Sequence, residues 1–161
     1  MNDVSKQPRT KYDKLFNVFE QFHASIPELS DRRLSELRDA WILAKTKYEE
    51  FLSAGESKSR LAAGLEQGLR EMPLLLADLE TKSRSQAVAA LRSAVLRFYP
   101  EFAVKETERL EEILNAGKIR GESQFYLVRH RIDELEGSSD SGTLLSELYR
   151  LVDEFEARSR R

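Results

Sequence analysis

The length, composition and charge of the chain favour one globular domain and exclude several kinds of function. Its 161 residues are 40% hydrophobic and 34% charged, with a net charge of −2 and no cysteine. A chain of this length can bury roughly 70% of its unfolded surface without disulfides or metals. The lack of cysteine excludes thiol chemistry and thiolate metal sites. The small negative net charge argues against a dedicated nucleic-acid-binding protein.

The N-terminal residues 1–10 are predicted to be a disordered tail, followed by a single domain over residues 11–158. The tail lacks the apolar core of a signal peptide. The longest apolar run, residues 72–77, is far shorter than the roughly 20 residues that cross a bilayer. We therefore predict a cytoplasmic protein that does not bind membranes.

Two helices are predicted before Gly55, and they are expected to form an antiparallel hairpin. The first ends near Ser25, because Pro27 disfavours helical geometry at Ile26. The second is capped by Ser30 and ended by Gly55. Apolar residues spaced three or four apart define the first at Tyr12, Leu15, Phe19, Phe22 and Ile26, and the second at Leu34, Leu37, Trp41, Ala44, Tyr48 and Phe51.

Residues 57–99 show helical spacing that can be divided into one, two or three helices. The first stripe is interrupted before Pro73, and "MPLLLADLE" is interpreted as a helix that restarts with Pro73 in its first turn. "TKSRSQ" is either a loop or a continuation of that helix. A further helix ends at Pro100, and its apolar positions are Val88, Leu91, Val95 and Phe98.

Three more helices complete the predicted fold, an all-α single-domain bundle of about seven amphipathic helices. One runs from about Val104 to Gly117, and the next carries Phe125 and Leu135 and stops at Gly137. "GSSDSG" predicts a flexible linker near residues 137–142. The last helix, residues 143–157, has the apolar positions Leu144, Leu148, Leu151 and Phe155.

Residues for metal or nucleophilic chemistry are scarce, so we predict no metal, no cofactor and no catalytic residue. A di-iron bundle needs two Glu-x-x-His motifs. Only Glu20 and His23 have that spacing, since Leu127 lies three residues before His130. His23 is instead interpreted as a polar residue near a helix C-terminus, where a positive charge is favoured. Gly-x-Ser-x-Gly and Ser-x-x-Lys motifs are absent.

The stretch "LNAGKIRGESQFYLVRHRIDE" contains a Gly-Lys pair but does not form a phosphate loop. A phosphate loop needs glycine five residues before that pair and serine or threonine after the lysine. Glu112 and Ile119 occupy these positions. The stretch is better explained as a corner between two helices, in which Gly117 ends the first in a left-handed conformation.

The same corner has the outline of a DNA-binding helix-turn-helix, and its basic residues form a candidate anion or nucleic-acid patch. These residues are Lys118, Arg120, Arg129 and Arg131. Arg129 and His130 stand four residues before Asp133 and Glu134, respectively. Such matched charges indicate a solvent-facing helix surface rather than side chains free to contact bases.

These exclusions leave protein binding as the expected function. Trp41 and Tyr48, one heptad apart, are a candidate protein interface, but packing against the first helix is the favoured interpretation. We expect a non-catalytic binding or regulatory protein, similar in kind to adaptors or bacterial immunity proteins, whose partner is another protein or a second copy of itself. No small-molecule substrate is evident. The alternatives are a nucleic-acid-associated regulator that uses the basic corner at residues 118–131, and an enzyme with a dispersed site.

Overall fold

The computed structural model describes residues 10–26, 31–136 and 142–160, and these ranges contain seven helices and no strand. The predicted all-helical bundle is therefore confirmed. The helices are α1 (Lys11–Ser25), α2 (Arg32–Ser53), α3 (Lys58–Leu76), α4 (Thr81–Phe98), α5 (Pro100–Ala116), α6 (Glu122–Glu136) and α7 (Gly142–Ser159). None of these helices is long and apolar enough to cross a membrane.

Helix ends follow local capping chemistry. The side-chain oxygens of Thr10, Asp31 and Ser57 accept hydrogen bonds from backbone N–H groups in the first turns of α1, α2 and α3. Gly117 has a φ of 74°, the left-handed conformation that ends α5 as predicted. The predicted cap Ser30 lies outside the described residues. So do the N-terminal tail before Thr10 and residues 137–141 of the predicted linker.

The predicted break before Pro73 was wrong, because α3 continues through it to Leu76. Proline removes one backbone hydrogen bond with the preceding turn and is unfavourable within a helix, so continuation of α3 through Pro73 needs a compensating tertiary contact. Its ring is buried, together with Met72 and Leu76. "TKSRSQ" forms the first turns of α4, so residues 58–98 contain two helices. The next helix starts at Pro100, earlier than the predicted start near residue 104.

The α1–α2 hairpin is antiparallel, and aromatic rings join its two helices. Tyr12 at the start of α1 contacts Tyr48 near the end of α2, with ring centroids 6.3 Å apart. Phe16 and Phe19 contact Trp41 at 5.2 and 5.1 Å. The prediction that Phe51 belongs to the apolar stripe of α2 was wrong, because its side chain is 44% exposed. The side chain of Leu52 packs against the core instead.

Two groups of buried apolar side chains form the core. The first apolar cluster joins α1 to α4 with the beginning of α5, and the second joins the end of α5 with α6 and α7. Helix α5 belongs to both, because Phe102 lies in the first cluster whereas Leu110 and Ile113 lie in the second. Functional groups near the middle of α5 therefore lie at the boundary between the two clusters.

Candidate functional site

A layer of polar side chains lies at the boundary between the two apolar clusters. This polar layer consists of Arg92 on α4, Glu106 on α5, and His130, Arg131 and Glu134 on α6. The carboxylate of Glu134 accepts hydrogen bonds from the guanidinium groups of Arg92 at 3.1 Å and Arg131 at 3.2 Å. His130 Nε2 lies 4.0 Å from the same carboxylate. Glu134 therefore links α4 to α6.

The prediction that His130 and Asp133 belong to a solvent-facing surface was wrong. His130 is only 7% exposed, and Asp133 pairs with Arg84 of α4 at 3.1 Å rather than with Arg129. The physical reason is that α6 packs on both sides. Its Val128 side faces the second apolar cluster, while its acidic side meets the arginines of α4.

Glu106 and His130 have shifted pKa values because they are removed from water. Burial is the largest effect on Glu106, the negative charge of Glu134 adds to it, and together they raise its pKa to about 7, although Arg109, Arg92 and Arg131 oppose the shift. Burial lowers the pKa of His130, opposed by Glu134 and Asp133. Near neutral pH, Glu106 is thus divided between its acid and carboxylate forms.

The spaces enclosed by the polar layer are too small for a substrate. Two voids border Arg92, Glu106, His130 and Glu134, and each has a volume of about 10 Å³. A cavity of roughly 10–15 Å³ is the smallest that holds one water molecule. The layer can therefore hold a water molecule or a proton, but a metabolite does not fit into it.

A groove of about 680 Å³ lies beside this layer, between α3, α5 and the first turns of α6. Its apolar surface consists of Pro73, Leu74, Ile113, Tyr126 and Leu127. Pro73 and Ile113 are buried, whereas Leu74 is 50% exposed. An apolar side chain that is half-exposed within a concave surface can still lose contact with water when a ligand binds.

Charged side chains around the groove give it an acidic surplus. Four carboxylates and two guanidinium groups line it, namely Glu71, Glu106, Glu112 and Glu122 together with Arg70 and Arg109. Arg70 is already paired, since it donates to Glu66 at 2.9 Å. Glu106 lines the groove and both small voids, so it connects the groove with the polar layer.

A second polar cluster centres on Glu66, which is 5% exposed. Its carboxylate accepts from Tyr99 at 2.9 Å and from Arg70 at 2.9 Å, and it lies 2.7 Å from Lys11 Nζ and 3.6 Å from Lys105 Nζ. Burial alone would raise its pKa, but these hydrogen bonds and charges outweigh burial and lower the pKa to about 2. This carboxylate is fully paired and joins α1, α3 and α5 with Tyr99.

Trp41 and Tyr48, the candidate protein interface, both lie against α1. Trp41 is 6% exposed, and its indole N–H donates to Glu20 at 2.8 Å. This is the packing against the first helix that the sequence favoured. His23 stacks beside Trp41 with ring centroids 6.2 Å apart. Burial and the charge of Arg38 lower the pKa of His23 to about 4, so the positive charge expected near the end of α1 is absent at neutral pH.

The four residues of the candidate basic patch do not share one surface. Lys118 and Arg120 are exposed at the corner before α6. Arg129 lies over the ring of Phe125 at 5.7 Å, whereas Arg131 pairs with Glu134. Residues two positions apart on a helix are separated by roughly 200° around its axis, so Arg129 and Arg131 point to different sides of α6.

Sequence patterns did not reveal Glu66, Glu106 or Leu74 as residues of interest. Each lies on a helix with an ordinary mixture of charged and apolar residues, and its environment comes from helices distant in the sequence. The one local signal was the stretch that contains the corner and the first turns of α6, because residues 122–124, 126 and 127 line one wall of the groove.

The comparisons with known proteins give no relative. No family model, curated protein or solved structure matches this chain. Among the described residues, no group of three or more histidine, aspartate or glutamate side chains could hold a metal ion.

Proposed function

We propose that the chain is a non-catalytic protein-binding protein, and that its groove between α3, α5 and α6 binds an amphipathic, positively charged helix of a partner protein. The observation that carries the proposal is Leu74, half-exposed in a concave surface that also has an apolar floor and an acidic surplus. Helix-in-groove recognition uses this combination, with apolar anchors in the groove and charges at its rim.

Charge complementarity selects the chemistry of the partner. The acidic side chains Glu71, Glu112 and Glu122 are exposed around the groove. They attract lysine and arginine at the edges of a bound helix and repel a helix with acidic edges. The groove has a volume of about 680 Å³, which falls within the range of concave sites that bind side chains and small ligands.

The exposed apolar residues of α2 are a weaker candidate for a partner-binding site than the groove is. Ile42, Leu43 and Phe51 are all exposed. Successive helical residues are turned by roughly 100°, so Ile42 points away from Leu43 and Phe51, and these last two are separated by about 12 Å along α2. They therefore lie apart from one another, whereas the apolar residues of the groove come from three helices and face one concave space.

A labelled synthetic helix of leucine and lysine at amphipathic spacing tests the proposal by fluorescence anisotropy. The matched variants are Leu74→Gln in the groove and Leu96→Gln on α4, where the leucine is 47% exposed and lies outside the groove. We expect about a tenfold weaker affinity for Leu74→Gln, since partial burial of a leucine contributes on the order of 1.4 kcal/mol. Leu96→Gln is expected to bind as the wild type does.

Two further peptides test charge and amphipathicity separately. One replaces every lysine by glutamate, and the other keeps the leucine and lysine content but loses the amphipathic spacing. Both are expected to bind at least tenfold more weakly than the original peptide. Equal affinity of Leu74→Gln and the wild type, or equal binding of the glutamate peptide, would contradict the proposed function.

A further inference from the structure

We propose that Glu106 is the specificity-determining residue of the groove, where it pairs with a lysine or arginine side chain of the bound helix and gives up its proton to solvent as that pair forms. This inference rests on the proposed function of the groove. It adds the residue that recognises the partner's cation and a dependence of binding on pH.

The first support is that Glu106 has no partner of its own. Among the described residues, no hydrogen bond or ion pair reaches its carboxyl group, whereas Glu66, Asp133 and Glu134 each pair with an arginine. Its side chain is partly buried and still borders the groove. A carboxyl group in this position can receive a cation from the groove side.

The second support is that two of the three neighbouring arginines, those on α4 and α6, are engaged by another carboxylate. Arg92 on α4 and Arg131 on α6 both donate to Glu134, at 3.1 and 3.2 Å. Arg109 on α5 also faces Glu106, as does Glu134. Arg70 and Glu71 of α3 line the same groove, and Arg70 pairs with Glu66. Among the residues that the structure describes, Glu106 is therefore a partly buried carboxyl group without a direct counter-ion.

The third support is the charge state of Glu106 in the free protein. Burial and the charge of Glu134 raise its pKa to about 7. At pH 7 about half of the molecules therefore carry a proton on Glu106. An adjacent lysine or arginine favours the carboxylate, so a bound cation lowers this pKa and releases the proton. Burial lowers the pKa of both His23 and His130 below the usual value for histidine, away from the pKa of Glu106.

The balance of protons gives the expected pH dependence. The protonated form must lose its proton before it can pair, so affinity for the lysine peptide rises with pH. With a pKa of about 7 in the free protein, the affinity at pH 8 is expected to be about tenfold higher than at pH 6. The expected proton release is about half a proton per peptide at pH 7 and close to one at pH 6.

Isothermal titration calorimetry of the leucine–lysine peptide, in buffers with different ionisation enthalpies, measures this release directly. The variant is Glu106→Gln, and the matched control is Glu108→Gln, an exposed residue of the same helix outside the groove. We expect that Glu106→Gln binds the peptide several-fold more weakly at pH 8, releases no proton and loses the pH dependence. Glu108→Gln is expected to behave as the wild type.

The outcomes separate this inference from the proposed function. Binding that depends on Leu74 but releases no proton, or releases the same amount in Glu106→Gln, overturns the inference and leaves the proposed function standing. Absence of peptide binding by the wild type overturns both. If Glu106→Gln fails to fold, carbon-13 NMR of the Glu106 carboxyl group in the wild-type protein replaces it. A titration midpoint near 7 that falls when the peptide is added supports the inference, and an unchanged midpoint overturns it.

Discussion

Glu66 and Glu106 show how two glutamates of the same bundle acquire opposite properties. Glu66 is surrounded by Lys11, Arg70 and the hydroxyl group of Tyr99, and its pKa falls to about 2. Glu106 is partly buried, and Arg92 nearby is engaged by another carboxylate, so its pKa rises to about 7. The first carboxylate stabilises the fold, whereas the second is held at a cost and is available for a ligand.

The pH dependence of stability should therefore differ between variants at these two sites. The pKa of Glu106 rises from 4.5 to about 7 on folding. The stability it contributes is present below pH 4.5 and is lost as the pH rises through 7. Glu106→Gln should be more stable than the wild type at pH 8, by about 1–3 kcal/mol, and urea denaturation between pH 5 and 8 measures the difference.

Glu66→Gln should have the opposite effect, because folding lowers the pKa of Glu66 and raises that of Glu106. The pKa of Glu66 falls from 4.5 to about 2 on folding. Its contribution is present above pH 4.5 and is lost as the pH falls toward 2. This variant should be less stable than the wild type by about 2–3 kcal/mol at pH 7. A stabilised Glu66→Gln, or a Glu106→Gln that is destabilised at pH 8, would contradict the assignment of these environments.

Among the helices, α2 depends on few contacts with the rest of the molecule. Its buried side chains are Leu34 and Trp41. The indole of Trp41 packs on α1 and donates to Glu20, which also pairs with Lys45 at 2.8 Å. Removal of this one ring therefore eliminates the contacts of Trp41 with Phe16, Phe19 and Glu20, and leaves the contact between Tyr12 and Tyr48.

Trp41→Ala should release α2 before the remaining helices unfold. Truncation of a buried tryptophan costs about 3–5 kcal/mol. Hydrogen exchange should show that the amides of α2 lose protection while those of α3 to α6 keep theirs. Ile42→Ala, at an exposed neighbouring position, is the control and should leave exchange unchanged. Equal loss of protection in α2 and α6 would mean that the hairpin and the bundle unfold as one unit.

The sequence predicted the helices well because their signals are local. Pro100 and Gly117 mark helix ends through backbone geometry that a neighbouring helix does not change. The continuation of α3 through Pro73 could not be predicted in the same way. It depends on burial of that ring against the core, and the apolar stripe before Pro73 contains no sign of this tertiary contact.

The groove and the polar layer could not be predicted because they depend on partners far apart in the chain. Asp133 and Glu134 have basic residues four positions before them, which predicts pairs within α6. Their principal partners include Arg84 and Arg92 of α4. An acidic residue on a helix can pair along its own helix or across to another, and only the packing of the helices decides between the two.

At the scale of the whole molecule, the groove opens where the two apolar clusters meet. Helix α5 contributes to both clusters, and Glu106 lies between its Phe102 and Leu110. A ligand in the groove therefore contacts the side of the bundle at the polar layer, where charge is already concentrated. This arrangement explains why the proposed recognition combines an apolar anchor at Leu74 with a carboxyl group at Glu106.

The most direct test of the proposed binding site is methyl NMR of the wild-type protein titrated with the leucine–lysine peptide. The groove predicts the largest chemical-shift changes at Leu74, Ile113 and Leu127, which line it on α3, α5 and α6. The exposed methyl groups of Ile42 and Leu43 on α2 should remain unchanged. If the largest changes occur on α2, with none around the groove, the peptide binds elsewhere and the proposed site is wrong.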